Sequence, residues 1–78
     1  MNEPWDVIEA VAAELARARG KHAPLNSAHE AYAVILEELD EFKAEVWKKT
    51  SARDRAAMRA ELIQMAAMAI RAVEDLKL

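Results

Sequence analysis

The feature that most restricts this chain is where its helix breakers fall. Its single glycine is Gly20, its two prolines are Pro4 and Pro24, and none follows Pro24. Glycine and proline are the residues that interrupt helices most strongly, so more than half of the chain carries no strong stop signal. Apolar residues make up 54% of the sequence and alanine is abundant, a composition that favours helix over strand. The expected fold is all-α.

Three helices follow from the punctuation. The first is expected over Pro4–Arg19, with Pro4 suited to the first turn, Glu3, Asp6 and Glu9 near the positive end of the dipole, and Gly20 as the C-terminal stop. Val7, Ile8, Val11 and Leu15 form its apolar stripe. Ser27-Ala28-His29-Glu30 has capping-box form, and a second helix should run from there to Lys49. Ala28, Tyr32, Ile35, Leu39, Phe42 and Val46 share one of its faces, with Tyr32 expected in the core. Ser51-Ala52-Arg53-Asp54 is a weaker cap for a third helix reaching Leu76, with Met58, Leu62, Met65, Ala69, Val73 and Leu76 as its stripe. The short turn between the second and third helices predicts a long antiparallel helical hairpin.

The chain has 78 residues, which allows one domain over 1–78 with a marginal core of its own. It has no cysteine, so neither a disulfide nor a thiolate metal site can staple it. Two long helices and a shorter one leave apolar surface uncovered, which predicts assembly into a homo-oligomeric helical bundle, a dimer or a tetramer. The net charge of −3 argues against nucleic acid as a partner and against a DNA-binding regulator. No apolar run is long enough for a membrane span, and the acidic N-terminus does not resemble a signal peptide, so a cytoplasmic protein is expected.

The second helix also carries an acidic stripe. Glu30, Glu37, Glu38, Glu41 and Glu45 occupy one sector about 100° wide at helical spacing. Such a stripe usually faces water, but a solvated face mixes signs, and here Glu37–Glu41 and Glu41–Glu45 are like-charge steps. Glu61 is a matching oddity on the third helix. It sits among Ala57, Met58, Met65 and Met68, where a lone carboxylate is costly unless paired with an arginine or bound to a cation. Across a hairpin, Glu38, Glu41 and Glu61 can converge. Oxygen ligands without His or Cys suit Mg²⁺, Mn²⁺ or Ca²⁺.

Glu37-Glu38-Leu39-Asp40-Glu41 has the form EExxE, and nineteen residues separate Glu41 from Glu61-Leu62-Ile63-Gln64. With the stretches HEAYAVILEELDEF and ELIQMAAMAIRAVEDL, this pattern resembles the MazG-like all-α nucleoside triphosphate pyrophosphohydrolases over residues 27 to 76. The resemblance implies an Mg²⁺-dependent enzyme (Mn²⁺ as substitute) in which water attacks the α-phosphorus of a nucleoside triphosphate. The products are the nucleoside monophosphate and pyrophosphate. It further implies that Glu38, Glu41 and Glu61 ligate the metal and that Glu37 orients a water. Gln64 stands where the family motif has Asp. Its carbonyl oxygen can still ligate a hard cation, but it supplies no charge and cannot act as a base. A catalytically degenerate module that binds a nucleotide or protein is therefore the alternative.

The remaining polar and aromatic residues point less sharply. His22 and His29 form no HxxxH or ExxH pair, against a di-iron carboxylate bundle. Trp5 and Trp47 can stack on a base but suit packing or oligomer contacts better, and the methionines suit an adaptable core. Lys43, Lys48, Lys49, Arg53 and Arg55 gather at the turn between the second and third helices, as a solvated turn or a phosphate contact.

Overall fold

The computed structural model describes residues 4–78, with side chains from Asp6 onward, and every regular element among them is helical. In chain order these are α1 (Pro4–Lys21), α2 (Ala28–Val46), a short 3-10 turn (Thr50–Ala52) and α3 (Arg55–Asp75). Glu3 and the Trp5 side chain, read above for the first helix, lie outside the described residues. No helix among the described residues is long and apolar enough to cross a membrane.

Gly20 does not stop α1. The helix runs on to Lys21, no glycine adopts a positive φ, and the His22 N–H still reaches the Ala18 carbonyl at 2.9 Å. Ser27 does cap α2, and Glu30 reaches back one residue further than a capping box requires, to Asn26. Ser27 Oγ accepts the Glu30 N–H at 3.0 Å, and the Glu30 carboxylate accepts the Asn26 N–H at 2.9 Å.

The other end of α2 differs from expectation. It stops at Val46, not Lys49, and Arg53 satisfies its last carbonyl: Nε and Nη2 donate to the Val46 oxygen at 3.1 and 2.8 Å. Ser51 is not the cap of α3. It lies inside the 3-10 turn, and Asp54 caps instead, its Oδ1 accepting the Ala57 N–H at 3.0 Å. α3 closes with Lys77 in the left-handed region (φ 57°), where the Leu78 N–H reaches the Val73 carbonyl at 3.0 Å. The Lys77 N–H bonds Glu74 O, completing a Schellman stop with lysine where glycine is usual.

α3 packs on both α2 and α1. One buried cluster joins Ala18, Ala67 and Met68, with Val11, Leu15, Val34 and Ile35 packed against it. A second joins Leu25, Ala31 and Ala72, with Val34, Ile35 and Leu76 around it. Alanine at these crossings lets the helix backbones approach closely.

The close approach turns the large apolar rows aside. Tyr32 is 69% exposed, Leu39 46%, Leu62 47% and Val73 51%, so much of each stripe expected to form the core is uncovered within one chain. Val7 and Ile8 of α1 are exposed as well. The inward rows sit one step around each helix. They contain Ala31, Val34, Ile35 and Glu38 on α2, and Glu61, Gln64, Met68 and Arg71 on α3. That step is what brings acidic residues between helices.

Candidate functional site

Glu38 lies midway along α2, half-buried, with Glu41 one turn later and exposed; Glu61 lies half-buried in the first half of α3. Each contributes a carboxylate oxygen to a group whose atoms all lie within 4.8 Å of one another. Glu38 Oε2 and Glu61 Oε2 are buried and have no hydrogen-bond partner. Among the described residues no arginine forms an ion pair with Glu61, so the ordinary resolution of a carboxylate at an apolar edge is not used here.

The electrostatics follow from this crowding. Burial pushes the Glu38 carboxyl above its ordinary value, and the charges of Glu41, Glu14 and Glu37 push the same way, against a lowering contact with Glu61. Glu41 is also pushed up, first by its hydrogen-bonding contact with the Glu61 carboxyl and then by that group's charge. Like-charged carboxylates that cannot all ionise comfortably can share protons or a cation. Their oxygens and spacing fit a hard divalent ion better than a thiophilic one.

The other two expected site residues share a cleft with one member of this group. Glu37 and Gln64 line an adjoining open cleft of about 430 Å³, together with Glu38. The cleft lies between α1, the 22–26 loop, α2 and α3, and its polar lining includes Arg17, His22, Asn26 and Arg71. Arg17 is engaged by Glu14, with Nε donating to Glu14 Oε2 at 2.8 Å. His22 gave no signal as a sequence position; only the fold brings its loop to the cleft.

One floor of the cleft rests on a polar network that the acidic motifs do not reveal. Arg71 is 4% exposed, donates from Nη2 to the Ala23 carbonyl at 2.8 Å and from Nη1 to Met68 Sδ at 3.5 Å, and lies 3.7 Å from Asp75 Oδ2. Asp75 accepts the Leu25 N–H at 2.9 Å and Arg19 Nη1 at 2.9 Å, while Arg19 also engages Glu74. The Leu25 N–H, followed by Arg19, holds the Asp75 carboxyl below its ordinary value. The i,i+4 spacing of Arg71 and Asp75 was the available signal.

The rest of the acidic stripe has structural work. Glu30 accepts the Asn26 N–H ahead of α2, and Glu45 accepts Lys48 Nζ at 2.9 Å and the Asp54 N–H. The basic group at the turn is partly consumed too: Arg53 on the Val46 carbonyl, and Lys43 over the Trp47 ring at 5.6 Å from its centroid. Trp47 is itself 76% exposed. Comparison with family models, curated proteins and solved structures finds no match to this chain.

Proposed function

We propose that the chain is a MazG-like, Mg²⁺-dependent nucleoside triphosphate pyrophosphohydrolase of the cytoplasm, producing the nucleoside monophosphate and pyrophosphate, with α2 and α3 acting as an antiparallel hairpin that carries the site. The observation that carries this reading is the convergence of Glu38, Glu41 and Glu61 within 4.8 Å, with two of their oxygens buried and unpartnered. A bound divalent cation supplies positive charge to the triphosphate and activates water. The chain's residues do the rest. Glu38, Glu41 and Glu61 hold the cation, and Gln64 offers a neutral oxygen from the edge of the cleft. Glu37 would orient the attacking water, whose oxygen bonds to the α-phosphorus as it gives up a proton to solvent and as the bond to the bridging oxygen breaks and pyrophosphate leaves. The cleft of about 430 Å³ beside Glu38 takes the nucleoside end, a size within the usual range for small-ligand sites.

A second reading rests on Gln64, which removes one negative ligand from the EExxE…ExxD pattern. In it, the helices bind a nucleotide or protein without turnover. Pyrophosphate release from a panel of standard and damaged nucleoside triphosphates, with Mg²⁺ or Mn²⁺, decides between them. Hydrolysis lost in Glu38→Gln and Glu61→Gln supports the enzyme. A chain that binds Mn²⁺ but releases no pyrophosphate from any nucleotide supports the second reading, and one that binds no divalent ion removes the site.

A further inference from the structure

Each of the three helices carries a half-buried glutamate beside the core. On α2 and α3 these include Glu38 and Glu61, already placed in the carboxylate group; on α1 it is Glu14. Glu14 follows Val11 by three residues and precedes Ala18 by four, so it shares their face of the helix. Ala18 is buried with Ala67 and Met68, and Val11 packs against them. Glu14 therefore belongs to the inward row of α1, where a carboxylate needs a reason to be.

Its place is where the acidic motif is one charge short. Glu14, Arg17 and Gln64 together line both the cleft beside Glu38 and a neighbouring groove between α1 and α3. Glu14 thus faces α3 at the level of Gln64, whose neutral amide stands where the EExxE…ExxD pattern has an acid. After burial and the charge of Glu41, the charge of Glu14 is among those that push the Glu38 carboxyl upward. Glu38 acts in turn on Arg17, so the α1 pair and the carboxylate group lie within electrostatic reach of one another.

Glu14 stands outside the group of three because Arg17 holds it: both of its oxygens accept from that guanidinium, Oε2 from Nε at 2.8 Å and Oε1 from Nη2. The same hydrogen bond holds its carboxyl below the ordinary value and keeps it ionised at neutral pH. Arg17 lies on the same helix and is exposed, so the pair ties α1 to no other element, and exposed pairs of this kind contribute little. We propose that Glu14 supplies a fourth carboxylate to the cation site, turning from Arg17 toward the ion and replacing the charge that Gln64 lacks. The proposal rests on the reading of Glu38, Glu41 and Glu61 as that site. Glutamate is one methylene longer than aspartate, which suits a ligand reaching in from a third helix. Binding the ion then fastens α1 to α2 and α3.

The test uses the whole chain with Mn²⁺ alone, read by titration calorimetry and by amide hydrogen exchange. Glu14→Gln removes the charge, whereas Glu14→Asp keeps the charge and withdraws the carboxylate by one methylene. Both should weaken Mn²⁺ binding by about tenfold or more, a loss found even for groups one shell out from a metal. Asp40→Asn removes an exposed charge next to Glu41 in the chain and should weaken it by less than about threefold. Saturating Mn²⁺ should slow exchange in the second half of α1 in wild type but not in the Glu14 variants, while α2 and α3 are slowed in all. If Glu14→Gln does not fold, Glu14→Asp and the wild-type exchange carry the decision. Glu14→Asp binding Mn²⁺ as tightly as wild type would overturn the proposal, as would α1 exchange that Mn²⁺ leaves unchanged, or an equal loss in Asp40→Asn. Wild type that binds no Mn²⁺ overturns it together with the cation site itself, so the wild-type titration tells the two failures apart.

Discussion

Glu38 on α2 and Glu61 on α3 each bury a carboxylate oxygen without a hydrogen-bond partner, in one group with Glu41. Glu61 also contacts the Glu38 and Glu41 carboxyls, so a shared proton or a cation is what can compensate the crowding.

The pH dependence of stability follows from that group. Glu38 and Glu41 are raised above the ordinary value of 4.5, so between that value and their folded values the native state binds more protons than the unfolded chain. Their contribution is fully present below 4.5 and is lost as pH rises through the folded values. Without divalent ions, the melting temperature of wild type should therefore fall relative to Glu41→Gln as pH rises from about 4.5 to neutral. Added Mn²⁺ should restore it at neutral pH. Parallel melting curves for the two proteins across that range would contradict the crowding described here.

Gln64→Asp returns a negative ligand to the edge of the site. If Gln64 faces the ion, Mn²⁺ affinity measured by titration calorimetry should rise about tenfold, or about 1.4 kcal/mol. An unchanged affinity would leave Gln64 as a cleft residue only.

Arg71→Ala removes a buried guanidinium that ties α3 to the Ala23 carbonyl. The carbonyl loses its donor and the packing beside Met68 is lost, so a destabilisation of about 2–3 kcal/mol is expected in urea titration. Arg71→Met, which keeps the packing, should recover part of it.

Lys77→Gly tests the stop of α3. Lysine occupies a left-handed position there that costs a side-chain-bearing residue about 1 kcal/mol, so the glycine variant should be more stable by about that amount. Thermal melts of the two proteins report it directly.

The acidic motif was readable because helical spacing alone aligns Glu38 with Glu41 and sets Glu61 among apolar neighbours. The helices were readable because the breakers are few and Ser27 caps α2 through the Glu30 N–H. What periodicity could not supply was the rotation of each helix. The rows holding Tyr32, Leu39, Leu62 and Val73 are the most apolar, yet a single chain packs through Ala31, Ala67 and Ala72 beside them. Close backbone approach at small residues decides that choice, and a hydrophobic pattern does not weigh it. Gly20 lies one residue before the end of α1, but its freedom to adopt a positive φ goes unused, so it marks the neighbourhood of the boundary without forming the stop. The Arg71–Asp75 network depends on a loop some fifty residues upstream and has no local signature beyond its spacing.

Arg53 holds the last carbonyl of α2 from seven positions downstream, through both Nε and Nη2. Part of what satisfies that helix end thus lies outside it. Grafted alone onto another scaffold, the segment that begins at Ser27 would carry its own beginning but not its own ending. It would be expected to keep winding through the two lysines. To move this helix intact, one must move the corner that follows it as well.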